Sequence, residues 1–245
     1  MTQAPIDFTL IASIFFLAGL VKGIMGMGMP TVAMGLLGLL MAPVQAAALL
    51  VAPAVTTNIW QMFAGPHLRA SMQRIGPLMV GTVIGTIGGI GFLASSHSAS
   101  AGVALGVVLA AYALFALISP RFVVPRTSES WLGPIVGLLT GLISGSTGVF
   151  VIPMVPYISS LDLEREQLIQ ALGGAFTASA LALGVGLWWT DHYPIAALSS
   201  SLLALIPAFI GMMIGQRLRA KIPPVTFRRV FLYSILALGL YMALR

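Results

Sequence analysis

The sequence predicts an all-α membrane protein built from two inverted five-segment repeats. Three observations predict it: a composition too apolar for water, ten apolar segments, and two halves that carry matching motifs in the same order. Charged residues make up 7% of the 245, apolar residues 58%, and the mean hydropathy is +1.02. Soluble domains are about a quarter charged. A chain this apolar has too little polar surface to cover itself, and a bilayer removes that requirement. The length suits about eight to ten spans of ~20 residues with short links, leaving no room for a soluble domain. The lipid bilayer is therefore the first partner to expect. A net charge of +6 could point to nucleic acid, but in a membrane chain Lys and Arg collect in cytoplasmic links, so no nucleic-acid partner is expected. Cysteine is absent, which removes disulfides and thiolate metal sites; no cofactor is expected. Residues 1–7 lack a basic leader, so the first apolar run is expected to belong to the mature protein.

The apolar segments run over residues 6–22, 30–42, 44–63, 75–94 and 99–119 in the first half. In the second half they run over 131–145, 148–160, 167–189, 195–218 and 225–244. Eight are long enough, or nearly so, to cross a ~30 Å core. Segments 30–42 and 148–160 have 13 residues each, about 20 Å as helix, and fall short.

Charge sets the direction. Arg69 and Arg74, Arg121 and Arg126, and the group Arg217, Arg219, Lys221, Arg228 and Arg229 flank links that alternation puts on one side. Lys22 and Arg165 fall on the same side, so of the 12 basic residues only Arg245 disagrees. The links at 95–98 and 190–193 contain no Lys or Arg. With the basic side cytoplasmic, both termini are expected in the periplasm of a bacterial inner membrane.

Motifs repeat between the halves. Gly19-Leu20-Val21-Lys22-Gly23 matches Gly137-Leu138-Leu139-Thr140-Gly141, and Ala54-Val55-Thr56-Thr57-Asn58 matches Ala175-Phe176-Thr177-Ala178-Ser179. Pro77, Gly81 and Gly85 match Pro207, Gly211 and Gly215 at identical spacing. Five segments per half is an odd number, so the second copy must sit upside down. This gives a first repeat at 1–120, a cytoplasmic link at 121–130 and a second repeat at 131–245. Inverted repeats of this kind are the architecture of many secondary transporters. The Gly81, Gly85, Gly88, Gly89 ladder permits close helix packing, within the chain or along a homodimer seam.

Within each half the first two segments are expected to be short, broken at Gly- and Pro-rich turns near the midplane. The first break carries Gly26, Gly28, Pro30 and Thr31, and the second carries Ser144, Gly145, Ser146, Thr147 and Gly148. Helices are expected to start near Pro30 and near 148–149, each with unpaired N–H groups and a partial positive charge. Two such starts approaching from opposite faces form an anion site. The third segments add neutral donors: Thr56, Thr57, Asn58 and Gln61 in one half, Thr177 and Ser179 in the other. Bonding to their own backbone is the plain alternative for such groups. Lys22 is the only ionisable residue inside a first-half apolar run. It either serves the site or snorkels to the headgroups. Met25, Met27 and Met29 alternate with glycine; the second copy has no soft counterpart, so they read as adaptable filler rather than a copper site. The three histidines sit in links, which leaves Ser144 and Ser146 without a deep base and argues against an enzyme.

The stretch at 19–31 and its partner at 137–153 resemble the TauE/SafE family, also called the toluene sulfonate uptake permease family, over nearly the whole chain. The resemblance rests on Gly23, Gly26, Gly28 and Pro30, and on Gly141, Gly145 and Gly148. It implies a bacterial inner-membrane transporter of sulfur-containing anions such as sulfite or sulfoacetate, often an exporter. The second copy departs from the first by placing Ser-Thr where the first has Met-Gly. The reading is a secondary transporter, an exporter of a small sulfur-containing anion. The alternatives are a transporter of another small anion such as a carboxylate, a passive anion channel, or a non-transporting scaffold. An inside-negative potential drives anions outward by about 2.3 kcal/mol per charge per 100 mV. Asp162, Glu164 and Glu166 lie in a link, so no carboxylate relay is visible within the spans, and export requires none.

Overall fold

A computed structural model describes residues 8–95, 98–118, 123–193 and 195–244. The chain ends, Arg121, and the middle of the 95–98 link lie outside the described residues. Ten helices follow in order: α1 (Phe8–Met25), α2 (Met29–Leu37), α3 (Pro43–Phe63), α4 (Leu68–Ser95), α5 (Ser98–Ile118), α6 (Arg126–Thr147), α7 (Met154–Ser159), α8 (Arg165–Trp189), α9 (Ile195–Leu218) and α10 (Pro224–Leu244). The described residues contain no strand, as hydrocarbon requires: an isolated helix satisfies its own backbone, whereas an open sheet edge does not.

Among the described residues seven helices are long and apolar enough to cross a bilayer, against the eight expected. The difference is α6. Its 22 residues suffice in length, but Arg126 and Glu129 open it and Thr140, Ser144 and Thr147 line its buried face. The expectation that the first two segments of each half are short is also corrected. α1 has 18 residues and α6 has 22, while only α2 with 9 and α7 with 6 fall short. At 1.5 Å per residue these two reach about 14 and 9 Å, half a hydrocarbon core at most.

The short helices sit inside. Eight of the nine α2 residues are buried, and α8 is buried along most of its length. The outer surface is apolar instead: Val80, Ile84 and Ile87 on α4, Val107 and Leu114 on α5, and Leu202, Ile206 and Ile210 on α9 are exposed. In water a continuous apolar face of this kind would aggregate; against lipid it is matched.

Two glycine seams join the halves. α1 lies on α9, with Gly19 against the Ala208 backbone and Gly23 against Gly215 and Gln216. α6 lies on α4, with Gly137 against Leu78 and Thr82, and Gly141 against Gly85 and Thr86. In both seams the residue numbers rise together, so the paired helices run parallel. A methyl group added at Gly141 would meet the Thr86 nitrogen at 2.6 Å and the Gly85 Cα at 2.8 Å. Backbones this close leave room only for hydrogen, and the gain is dispersion contact, the main cohesive force between helices in lipid. Gly81, Gly85 and Gly89 all face α6, so this ladder is filled within the chain.

The central pairs run the other way. On α3 and α8, Gly173 meets Met62 while Gly184 meets Val51. On α5 and α10, Gly106 lies against Gly239 and Ala243, while Gly239 lies against Ala110. Both pairs are antiparallel. Ser201 on α9 supports α3 at Pro53, which has no N–H to offer the Leu49 carbonyl one turn before it. The Ser201 hydroxyl donates to that carbonyl at 2.8 Å and accepts from the Ala52 N–H at 3.1 Å. Ser201→Ala strands both backbone groups in a dry interior. We expect it to cost about 1–2 kcal/mol, read as a lowered melting temperature in detergent, with Ser201→Thr losing less.

Candidate functional site

Lys22 lies in the last turn of α1 and is 3% exposed. Burial decides between the two placements open to it: the side chain turns into the protein and does not snorkel to the headgroups. Its ammonium donates to Thr57 Oγ1 at 3.0 Å and to Asn58 Oδ1, both on α3. Thr57 can accept because its own proton goes to the Pro53 carbonyl at 2.6 Å. Two acceptors leave one of the three ammonium N–H donors for another partner. Among the described residues the one ion pair joins Arg74 to Glu129, so no described carboxylate neutralises Lys22. Neutral acceptors solvate an ammonium, yet taking it out of water still costs several kcal/mol that a counter-ion would offset.

The first break places a helix start beside this charge. Gly26 and Gly28 take positive φ, +79° and +99°, where a side chain would be strained. Gln61 on α3 holds the break, donating its amide to the Gly26 carbonyl at 2.9 Å and to the Ile169 carbonyl at 3.0 Å. α2 then begins with Gly28 as its cap and Pro30 in its first turn, and no side chain caps it. Its first ladder bond runs from the Val32 N–H to the Gly28 carbonyl at 3.0 Å. The N–H groups of Met29 and Thr31 precede that ladder, as the start of any helix leaves them. Met29 Sδ is 3.6 Å from Thr57 Oγ1, which sets the α2 start against the Lys22 cluster.

Two further polar atoms bear on the chemistry. Asn58 Nδ2 and Thr31 Oγ1 are buried without a hydrogen-bond partner. Buried donors of this kind are normally satisfied. An ammonium, a helix N-terminus and unpartnered amide and hydroxyl groups together form an environment for a small oxyanion.

The second break is built differently. Gly148 caps the C-terminus of α6 at φ +73°, its N–H bonded to the Ser144 carbonyl at 2.7 Å. A methyl group there would lie 2.8 Å from Met34 Cε, so α2 touches both breaks. The expected helix start at 148–149 is corrected: the chain stays non-helical until α7 begins at Met154. Val149, Val151 and Ile152 are β-branched, and the residue before Pro153 is disfavoured in the helical region. A six-residue α7 presents no second helix N-terminus comparable to that of α2.

The family model described as Sulfite exporter TauE/SafE matches residues 11–242. The chain belongs to this family. It is a transporter family, not an enzymatic one, and it suggests sulfur-containing anions as cargo. No curated protein and no solved structure matches the chain.

In this TauE/SafE chain the candidate residues separate into groups. Lys22, Gly26, Thr57, Asn58 and Gln61 come together with the start of α2, which carries Gly28, Pro30 and Thr31. Thr56 is half-buried on α3. In the second half, Thr177 and Ser179 donate to carbonyls of their own helix, Gly173 at 2.7 Å and Ala175 at 3.0 Å. Thr147 likewise donates to Ile143 at 2.7 Å, and Ser146 reaches the Gly89 carbonyl on α4 at 3.4 Å. Gly145 packs against Thr86 and Gly89. Ser144 Oγ is buried without a partner.

Gln170 was missed, although it is an amide in an apolar run like Gln61. Its amide donates to the Met62 and Gly65 carbonyls at 2.9 and 2.8 Å, and its oxygen accepts from the His67 N–H at 2.8 Å. It closes the C-terminus of α3 as Gln61 closes the break. Glu129 was also missed; it forms a two-point pair with Arg74 at 2.5 and 2.8 Å between α4 and α6.

Asn58→Asp tests the role of the uncompensated charge. The new carboxylate would neutralise Lys22 internally. We expect the melting temperature to be held or raised while transport falls at least tenfold, whereas Lys22→Gln should lose transport without that gain in stability. Melting curves and flux measured on the same preparations check both.

Proposed function

We propose that this protein is a secondary transporter that exports a small sulfur-containing anion, sulfite or an organosulfonate such as sulfoacetate, across the bacterial inner membrane. The observation that carries the reading is the buried Lys22 ammonium, held by neutral acceptors on α3 and lacking a carboxylate among the described residues. A protein-only ion pair would close such a site. A missing counter-charge leaves it for a mobile anion, and the start of α2 adds N–H groups of the same polarity. Lys22, Thr31, Asn58 and the backbone at Gly28–Met29 are the proposed substrate contacts, with Thr57 and Gln61 positioning them.

Two inverted repeats, residues 1–120 and 131–245, underlie this reading. The packing supports it: exchanging α1–α5 for α6–α10 converts the α1–α9 seam into the α6–α4 seam and leaves the α3–α8 and α5–α10 pairs unchanged. Equivalent helices α3 and α8 run antiparallel, as a two-fold axis in the membrane plane requires. With the basic links cytoplasmic, both termini face the periplasm. Periplasmic reporter fusions after Arg245 should be active and cytoplasmic ones silent; the opposite result would overturn this orientation.

Export by the membrane potential needs no proton. Glu129 is already paired with Arg74, and the remaining described carboxylates lie in links or, for Glu166, in the exposed first turn of α8. We therefore expect electrogenic transport. In proteoliposomes an imposed potential at equal pH should drive flux of a fully ionised sulfonate, approaching about tenfold accumulation per 60 mV. A pH gradient at zero potential should drive little. Flux that follows the pH gradient and ignores the potential would show that a proton travels with the anion.

A further inference from the structure

A second cluster of cations is not used by the site above. Arg165 opens α8, Arg219 follows α9, and Arg228 lies near the start of α10; all three line one cavity of about 350 Å³. Positive charge in cytoplasmic links is ordinary, but three arginines, from α8, the link after α9 and α10, lining one hollow are not explained by that tendency. The hollow reaches the first break, because Met25 and Met27 form part of its wall. Met25 is three residues beyond Lys22 on α1, less than one helical turn.

The charges are uncompensated. None of the three arginines makes an ion pair among the described residues. Glu164 and Glu166 flank Arg165 in sequence and are exposed, as are Arg165 and Arg228, while Arg219 is half-buried; no ion pair joins them among the described residues. Arg228 is fixed by donating to the Ala116 carbonyl of α5 at 2.7 Å, a neutral partner that leaves its charge intact. Arg219 is held below its ordinary value, first by burial and then by the nearby charge of Arg165. Two like charges facing one space repel, and an anion between them relieves both.

We propose that this cavity is a second anion site, an inner vestibule that takes a small organic anion before it reaches Lys22. The proposal rests on the transport reading above. The wall also selects the anion. The thioethers of Met25 and Met27 and the ring of Phe227 offer apolar contact beside the guanidinium groups. A bare inorganic anion leaves that wall unused, whereas a sulfonate carrying one or two carbons engages both halves of the site.

Arginine modification tests this without relying on flux. The full-length protein is placed in nanodiscs of zwitterionic lipid and treated with phenylglyoxal, and the modification rate of each arginine is read by mass spectrometry. Methanesulfonate should slow Arg165 and Arg219 by about threefold at twice its dissociation constant, the factor that simple occupancy gives. Arg69 and Arg217, which do not line this cavity, should be unaffected, and inorganic sulfate should protect less at equal concentration. Equal slowing at all four arginines, or none, would overturn the proposal. So would protection supplied by phosphatidylglycerol to which methanesulfonate adds nothing, since the cavity would then seat a lipid headgroup. Protection without sulfonate flux would keep the vestibule and sink the transport reading; flux without protection would do the reverse.

Discussion

In hydrocarbon every backbone N–H and C=O must find a partner inside the protein, and the interior of this fold is arranged around the places where a helix cannot supply one. Pro53 leaves a carbonyl open on α3, and Ser201 reaches across from α9 to close it. The end of α3 is closed by Gln170 and the end of α1 by Gln61, each an amide from a neighbouring helix. The short helices α2 and α7 are tolerated because they are wrapped by longer ones, away from lipid. Ser201, Gln61 and Gln170, polar residues in apolar stretches of sequence, are therefore repairs to the backbone.

Set against that economy, the Lys22 region stands apart. Asn58 Nδ2 is left without a partner although the same side chain holds Lys22, Thr31 Oγ1 in the first turn of α2 and Ser144 Oγ on α6 are left over as well, and no described carboxylate neutralises the Lys22 charge. Stability alone would favour replacing such a charge with an apolar side chain or giving it a carboxylate. A buried ammonium with neither is the ground on which we propose a binding site there.

Much of the fold was legible because lipid makes composition and length decisive. All ten segments correspond to helices, and the break at Gly26–Pro30 was readable from glycines that adopt left-handed backbone. The start of α7 was misread because Gly148 signals the end of a helix as readily as the start of the next, and the β-branched residues after it keep the chain out of helix until Met154. Lys22 could be singled out but not placed: its neighbours in sequence do not reveal that α3 brings Thr57 and Asn58 within reach. Thr177 and Ser179 were legible as polar groups, but a hydroxyl four residues beyond a carbonyl on the same helix usually bonds to it. Ser201 and the Arg74–Glu129 pair depend on helix neighbours far apart in the chain, which local pattern does not encode.

The glycine seams also constrain the order in which the molecule can be made. α1 rests on α9 and α4 on α6, so neither half contains the surface that covers its own glycine face. At ordinary synthesis speeds of about 5–20 residues per second, α1 waits roughly 10–40 seconds in the bilayer before α9 leaves the ribosome. During that interval its small-residue stripe is a sticky surface without its proper mate, exposed to helices of other nascent proteins. Assembly of the first half is thus completed only by nearly the last helix inserted.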